Sequence, residues 1–354
     1  MATKQQPISP EFWVHPGETI AEMLEDRGMT QKELAQRTGF SEKHISTVLS
    51  GKKSISAILA IRLEYAFDVP ASFFNNLQAN YDVEVAQWNE THTIKAEEIA
   101  IAKEITNSVE TLLNVTLDHG NHYQNSVPLL RKYLGISDLT MIQKLNFGNY
   151  RGQFAGNTSF NMMYVWQYLC EKETEGQTTV PFNKEKLKES LPAIKQVMFE
   201  DFSTHFLRIQ EILNTCGVLF TVKPHMRQAP IKGLTVKTKK NQMLIALTIY
   251  GKYVDIFWFT LFHEIAHLLN DDYLKKQDDA ELVQKAEEEA NLFAANQLID
   301  PTLYQAFIEK GDFSEKALVA FAAEAHVLLT IVIGRLNHDN QSWNNRIELR
   351  QKYL

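Results

Sequence analysis

Apolar residues recur with a helical period over most of the chain. In residues 16–28 the apolar side chains Ile20, Met23 and Leu24 fall on one face, between a proline and a glycine. This arrangement is typical of an amphipathic helix that begins at the proline and ends at the glycine. The same pattern returns four times before residue 90, and serine or threonine precedes several of the segments. It predicts a compact domain of five helices over residues 1–90.

The pattern changes further along the chain. Residues 91–210 keep the helical period between loops rich in Gly and Asn, which predicts a helical middle region that packs alone or with the next domain. Three short β-branched, apolar segments follow at 218–224, 231–238 and 242–251, and they predict a small antiparallel sheet. Helical periodicity then resumes to the end. We expect an α+β protein, mostly α, with a third region over residues 211–354.

Composition limits the protein classes that fit. The chain has 354 residues and a net charge of −7, so any contact with nucleic acid must use a local basic surface. Its two cysteines, Cys170 and Cys216, form no CxxC pair. The N-terminus lacks the apolar core of a signal peptide, and no apolar run reaches the roughly 18 residues of a membrane span. We expect a cytoplasmic protein without a membrane segment.

The segment HEIAH carries candidate metal chemistry. His263 and His267 are four residues apart in a helical, apolar segment, so both imidazoles project from one face. Two imidazoles at this spacing can bind one Zn²⁺. Glu264 is then placed to act as the catalytic general base. A five-residue pattern also arises by chance, but unliganded histidines in an apolar segment would be costly.

A second helix offers the third metal ligand. It contains Glu287, Glu288 and Glu289, followed by Asn291. If Glu287 is the ligand, Asn291 lies one helical turn further and can hydrogen-bond a ligating histidine. Glu288 and Glu289 are rival ligands, and an acidic solvent-exposed face is the alternative for both.

The two segments FWFTLFHEIAHLL and EEEANLFA resemble the ImmA/IrrE group of gluzincin-like metallopeptidases. The resemblance covers residues 211–354 well and 120–210 more loosely. It implies a zincin-like domain with Zn²⁺ on His263, His267 and Glu287. It also implies peptidase activity, with Glu264 as the base and Asn291 as the companion of a ligand.

Residues 30–51 form a helix, a turn with a glycine, and a second helix. Leu34, Ala35 and Ile45 lie on the inner faces, which leaves the outer face of the second helix for base edges in a major groove. Between Thr30 and Lys53 there are five basic and two acidic residues, a local balance of +3. The predicted DNA contacts are Gln31, Lys32, Arg37, Ser41, Glu42, Lys43, His44, Ser46, Thr47, Lys52 and Lys53.

Residues 13–80 resemble the XRE/Cro-type helix-turn-helix, and in particular HigA-type antitoxins. The resemblance implies a lambda-repressor-like fold that binds double-stranded operator DNA as a homodimer. The alternative is a helical module that packs on a partner protein.

Two main hypotheses and a third possibility follow for the whole chain. The first is a DNA-binding repressor or antitoxin whose zinc endopeptidase domain cleaves a regulatory protein or a toxin partner. The second is a transcription regulator whose peptidase-like domain senses a metal or ligand, or binds a partner, without proteolysis. The third is self-cleavage between the domains.

Overall fold

The computed structural model describes residues 13–145, 159–224, 231–272, 280–339 and 347–353. The chain divides into two compact units, Met1–Ala96 and Glu97–Leu354. The described residues are mostly helical and include a small three-stranded sheet, which confirms the predicted α+β class.

The N-terminal unit contains the five predicted helices. They are α1 (Pro16–Asp26), α2 (Gln31–Thr38), α3 (Glu42–Leu49), α4 (Ala57–Phe67) and α5 (Ala71–His92). Thr30 caps α2, because its side chain accepts a hydrogen bond from the Glu33 amide at 3.1 Å. Gly39, with φ of 68°, ends α2 in the left-handed region, so α3 leaves in a new direction.

One apolar core holds these helices together. Leu34 and Ala35 of α2 are buried against α3 and α4, together with Ile45 and Leu63. The small side chain of Ala35 lets the helices approach closely, as the sequence suggests. The core therefore fixes α3 relative to α2 and leaves the opposite face of α3 on the surface.

The C-terminal unit contains ten α-helices and three strands among its described residues, besides short 3-10 helices. They are α6 (Ala96–Leu113), α7 (Tyr123–Leu134), α8 (Phe160–Glu173), α9 (Lys184–Gln196), α10 (His205–Thr215), β1 (Val218–Lys223), β2 (Gly233–Lys237), β3 (Met243–Thr248), α11 (Val254–Leu269), α12 (Ala280–Leu298), α13 (Pro301–Lys310), α14 (Glu315–Glu324) and α15 (Leu329–Asp339). No single described helix is long and apolar enough to cross a membrane; α14 and α15, bent by 109°, meet that criterion only as a pair.

The sheet is mixed, so the prediction of an antiparallel sheet was wrong for one strand pair. The order is β1-β3-β2, with β2 antiparallel to β3 and β1 parallel to it. Asn241, which has a positive φ, lies in the short turn that joins β2 to β3. β1 and β2 do not pair with each other, because β3 lies between them. All six residues of β3 are buried, which explains its central position.

Helix α11 is the central element of this unit. It packs against β2, β3, α12 and α15, and 13 of its 16 residues are buried. Helices α8 and α10 contact the sheet through β1, and α8 also contacts β3. Because α11 lies between the sheet and α12, its polar side chains face residues from both.

Candidate functional site

Two histidines of α11 lie side by side with their Nε2 atoms facing each other. The Nε2 atoms of His263 and His267 are 3.0 Å apart, and the rings are nearly perpendicular at 82°. Only 14% and 4% of the two side chains are exposed. The four-residue spacing on one helix produces this pairing.

Glu287 of α12 completes a three-residue cluster. Its Oε2 lies 3.3 Å from Nε2 of His263, and its Oε1 lies 3.5 Å from Nε2 of His267. One ligand atom from each residue lies within 4.8 Å of the others. The rival Glu288 accepts a hydrogen bond from Gln284 on the exposed surface, and the other rival, Glu289, lies 3.9 Å from Lys285.

The outer nitrogen of each imidazole has an oxygen partner. Nδ1 of His263 lies 3.0 Å from Oδ1 of Asn291, and Nδ1 of His267 lies 2.8 Å from Oδ2 of Asp272. We therefore assign the proton of each neutral ring to Nδ1. The lone pairs of the two Nε2 atoms then face each other and repel. A cation bound between them removes this repulsion. Two imidazole nitrogens and a carboxylate are a donor set typical of catalytic Zn²⁺, so the residues fit this metal.

The charges around the cluster favour a cation. Burial alone would lower the pKa of His267, but its hydrogen bond with Asp272 and the charges of Glu264 and Glu287 raise it above the ordinary value. Burial alone would raise the pKa of Glu287, but its contacts with His263 and His267 hold it below the ordinary value. The site therefore stabilises positive charge between the imidazoles and an ionised carboxylate beside them.

Glu264 is buried beneath β2. Its Oε2 accepts a hydrogen bond from the Thr235 hydroxyl at 2.8 Å, and only 6% of the residue is exposed. Burial raises its pKa, although the neighbouring histidines and Thr235 oppose the shift. A Cβ atom at Gly233 would collide with the Glu264 carboxyl group and with Thr260, so only glycine fits there. A carboxylate with a raised pKa suits a general base near neutral pH.

Three further residues contact this site, and none of them is among the residues predicted from the sequence. Asp272 follows His267 by five residues, and this short spacing is a signal that could have identified it. Gly233 and Thr235 lie about thirty residues before Glu264 and become neighbours only when β2 packs on α11. No local pattern marks them.

Most of the predicted DNA contacts lie on the surface of the N-terminal unit. The exposed residues are Gln31, Lys32, Arg37, Ser41, Glu42, Lys43, Ser46, Lys52 and Lys53. Three of them also have local partners: Arg37 pairs with Glu33, the Ser41 hydroxyl caps α3 by accepting from the His44 amide, and Lys53 contacts the His44 ring. Glu42, Lys43 and Ser46 remain exposed on the surface of α3.

His44 and Thr47 differ from the predicted outward positions, since both are half-buried. The His44 ring packs on Phe40 with 4.5 Å between centroids, and its Nδ1 lies 3.3 Å from Nζ of Lys53. Burial and the charge of Lys53 lower the pKa of His44. The Thr47 hydroxyl donates to the His44 carbonyl. The packing of His44 against Phe40 thus leaves its ring half-buried rather than fully exposed.

Two family models match the chain. The helix-turn-helix model matches residues 20–74, which include α2 and α3. The peptidase model described as the IrrE N-terminal-like domain matches residues 255–337, which include His263, His267 and Glu287. No curated protein sequence matches the chain.

Several solved structures are similar to part of the chain. PA4674 of Pseudomonas aeruginosa, in complex with its operator DNA, is 34% identical over 21% of this chain and 80% of its own, with a TM-score of 0.20. Antitoxin HigA of P. aeruginosa with the higBA promoter is 31% identical over 26% of this chain and 98% of its own, with a TM-score of 0.22. An antidote protein of the HigA family from Coxiella burnetii is 28% identical over 30% and 97%, with a TM-score of 0.20. The chain is therefore a DNA-binding, helix-turn-helix regulator that carries an IrrE N-terminal-like domain in its C-terminal part.

Proposed function

We propose that the C-terminal unit is a zinc-dependent endopeptidase that serves gene regulation. The observation that carries the proposal is the pair of Nε2 atoms 3.0 Å apart, with the carboxylate of Glu287 beside them. Glu264, on the same helix, supplies a buried carboxylate next to this cluster. The combination matches the needs of metal-assisted peptide hydrolysis.

Each residue has a defined part in the reaction. His263, His267 and Glu287 would hold the zinc, and Asn291 and Asp272 keep the two imidazoles in the tautomer that leaves Nε2 free. When bound, zinc supplies the Lewis-acid chemistry that makes peptide hydrolysis feasible near neutral pH. The carboxylate of Glu264 takes a proton from the attacking water and returns it to the leaving amine. Thr235 holds this carboxylate in place through Oε2.

The edge of the sheet offers a place for an extended peptide. Among the described strands β2 is at the edge next to Glu264, whereas β1 forms the other edge. At β1 the side chain of Gln177 donates to the Phe220 carbonyl and accepts from its amide, each at 3.0 Å, and so occupies that edge. Addition of a substrate strand to β2 would bring its backbone beside Glu264.

A cleavage assay tests the peptidase proposal. The full chain with one equivalent of zinc is incubated with a degenerate peptide library, beside Glu264→Gln and the matched control Glu288→Gln, which changes an exposed carboxylate of α12. We expect zinc-dependent cleavage by the native chain and the control, and a loss of at least about a hundredfold in Glu264→Gln. Tight zinc binding without cleavage would contradict the proposal and favour a metal sensor. Cleavage of the chain itself would appear as fragments in the same assay.

We further propose that the N-terminal unit binds double-stranded operator DNA as a homodimer. Support comes from the exposed residues of α3 and from Lys52 and Lys53 after it, since such helices occupy major grooves and their dimers span two half-sites. Replacement of Lys52 by alanine should reduce the slope of log affinity against log salt concentration by about one. Replacement of Lys95, which is also exposed, should leave this slope unchanged. Anisotropy titrations with promoter fragments measure both. An unchanged slope would contradict a phosphate contact at Lys52.

The resemblance of residues 13–80 to HigA-type antitoxins supports an antitoxin-type role. In this proposal the chain represses its own promoter, and its peptidase acts on a regulatory protein or on a toxin partner. Co-expression with the product of the adjacent reading frame tests the proposal. A stable complex or a cleaved partner would support it, whereas an intact protein that does not co-purify would contradict it.

A further inference from the structure

The segment that forms the sheet is strongly basic within an acidic chain. Residues 218–254 contain seven Lys and Arg and no Asp or Glu, although the whole chain has a net charge of −7. The seven are Lys223, Arg227, Lys232, Lys237, Lys239, Lys240 and Lys252, of which Arg227 lies outside the described residues. Two of them form ion pairs with acidic side chains of α8 and the turn after it. Lys223 lies 2.6 Å from Glu173, and Lys240 lies 3.1 Å from Glu175.

Lys237 differs from these paired lysines. It is the last residue of β2, it is exposed, and it forms no ion pair within the part of the chain that the structure describes. Side chains along a strand alternate between its faces, so Lys237 shares a face with Thr235 and Gly233. These two residues contact Glu264. Lys237 therefore extends the Glu264 face of β2 by two residues, or about 7 Å.

We propose that Lys237 selects substrate polypeptides that carry an acidic residue close to the cleaved bond. The inference rests on the proposed function, because it places the cleaved bond beside Glu264 and the substrate along β2. A carboxylate two or three residues from that bond would lie opposite Lys237, since extended chains advance about 3.3 Å per residue. Antiparallel pairing is the more stable arrangement, and it places this carboxylate on the N-terminal side of the cleaved bond.

The charges on the other side of the site favour a peptide over a nucleic acid. Glu287 of α12 lies beside the two histidines, and Asp272 and Glu264 are also close to them. A phosphate backbone carries a charge at every nucleotide, so it would meet these carboxylates as well as Lys237. A peptide can place one carboxylate at Lys237 and neutral residues elsewhere. Only the peptide satisfies both sides.

Peptide binding tests this proposal without depending on cleavage. The zinc-loaded full chain with Glu264→Gln is titrated with a fluorescent peptide that carries three adjacent glutamates, and with the same peptide carrying glutamines. Each titration is repeated with Lys237→Glu added and with Lys252→Glu added; Lys252 belongs to the same basic segment but lies outside β2. The same proteins are titrated with duplex DNA. The corresponding proteins that retain Glu264 are assayed for cleavage of the degenerate library.

We expect the acidic peptide to bind about two- to fivefold more tightly than its glutamine counterpart, the range of one exposed ion pair. Lys237→Glu should abolish this preference, and Lys252→Glu should retain it. In the library, Lys237→Glu should shift cleavage from sites with Glu or Asp towards sites with Lys or Arg. Equal binding of both peptides, or a preference that survives Lys237→Glu, would overturn the proposal. If Lys237→Glu weakens DNA binding and leaves peptide binding unchanged, the proposal is overturned in favour of a nucleic-acid surface. Failure of all cleavage with the binding preference intact would refute the peptidase but not the acidic-peptide site.

Discussion

Asn291 on α12 accepts a hydrogen bond from His263 on α11, with 3.0 Å between Oδ1 and Nδ1. A side chain from a second helix thus orients the imidazole and leaves its Nε2 free for metal. Replacing Asn291 by alanine should weaken zinc binding about ten- to a hundredfold, the usual cost of losing such a partner. Competition with a zinc-binding dye measures the dissociation constant.

Two variants control for unspecific effects at this position. Asn291→Asp keeps an acceptor oxygen and should bind zinc nearly as tightly as the native chain. Glu289→Gln changes an exposed carboxylate on the same helix and should have no effect. Equal zinc affinity in Asn291→Ala and the native chain would exclude this role for Asn291.

Gly233 leaves the space that the Glu264 carboxyl group occupies. In Gly233→Ala the new methyl group would collide with Glu264 and Thr260, and we expect a loss of about 1–3 kcal/mol of unfolding free energy. Urea denaturation measures it. Combining the change with Glu264→Ala should recover part of the loss, because the smaller side chain makes room. A Gly233→Ala protein as stable as the native chain would show that β2 does not press on this carboxylate.

Arg350 and Asp255 form a buried ion pair that fastens the C-terminal segment to the start of α11. Arg350 Nε lies 3.2 Å from Asp255 Oδ1, and both side chains are almost fully buried. Arg350→Met would leave Asp255 buried without its cation and should cost about 3–5 kcal/mol, whereas Arg350→Met with Asp255→Leu should recover most of it. Arg335→Met breaks a more exposed pair and should cost about 1 kcal/mol or less. Equal losses for Arg350→Met and Arg335→Met would contradict this assignment.

His205 makes the C-terminal unit sensitive to acid. Burial lowers the pKa of its imidazole, although Glu200 and Asp201 oppose the shift. Nδ1 lies 3.0 Å from the Tyr353 hydroxyl, and Nε2 lies 3.2 Å from the Glu200 carbonyl, which suits the neutral ring. As the pH falls below about 6.5, the unfolded chain takes up a proton before the folded one does, so stability declines.

The unfolding free energies of the native chain and of two variants are measured at about pH 7.5 and about pH 5.5. His205→Gln should lose less stability across this interval than the native chain does, whereas the exposed His122→Gln should behave like the native chain. The same pH dependence in His205→Gln and the native chain would show that another group is responsible.

Much of the helical architecture could be predicted because its signals are local. Thr30, Ser41 and Gly39 mark the ends of α2 and α3, and the structure places those ends as the residues indicate. The strand directions could not be predicted in the same way. Alternation along β1 is the same whether β3 runs parallel or antiparallel to it, and the direction is set only when the two strands pair in the folded unit.

The candidate site divides along the same line. The spacing of His263 and His267 on one helix is local, and so is the spacing of Glu287 and Asn291. The contact between Thr235 and Glu264 joins residues 29 positions apart, and it depends on how β2 packs on α11. The partial burial of His44 likewise depends on its packing against Phe40, which the helical period alone does not specify.

The central claim is that His263, His267 and Glu287 bind one zinc ion, and zinc K-edge X-ray absorption on the full chain tests it most directly. We predict one zinc per chain, with two imidazole nitrogens at about 2.0–2.1 Å and the remaining ligands oxygens at about 2.0–2.2 Å. The imidazole signal and the bound zinc should disappear in His267→Ala. A sulfur ligand at about 2.3 Å, or a zinc site that persists unchanged in His267→Ala, would contradict the account.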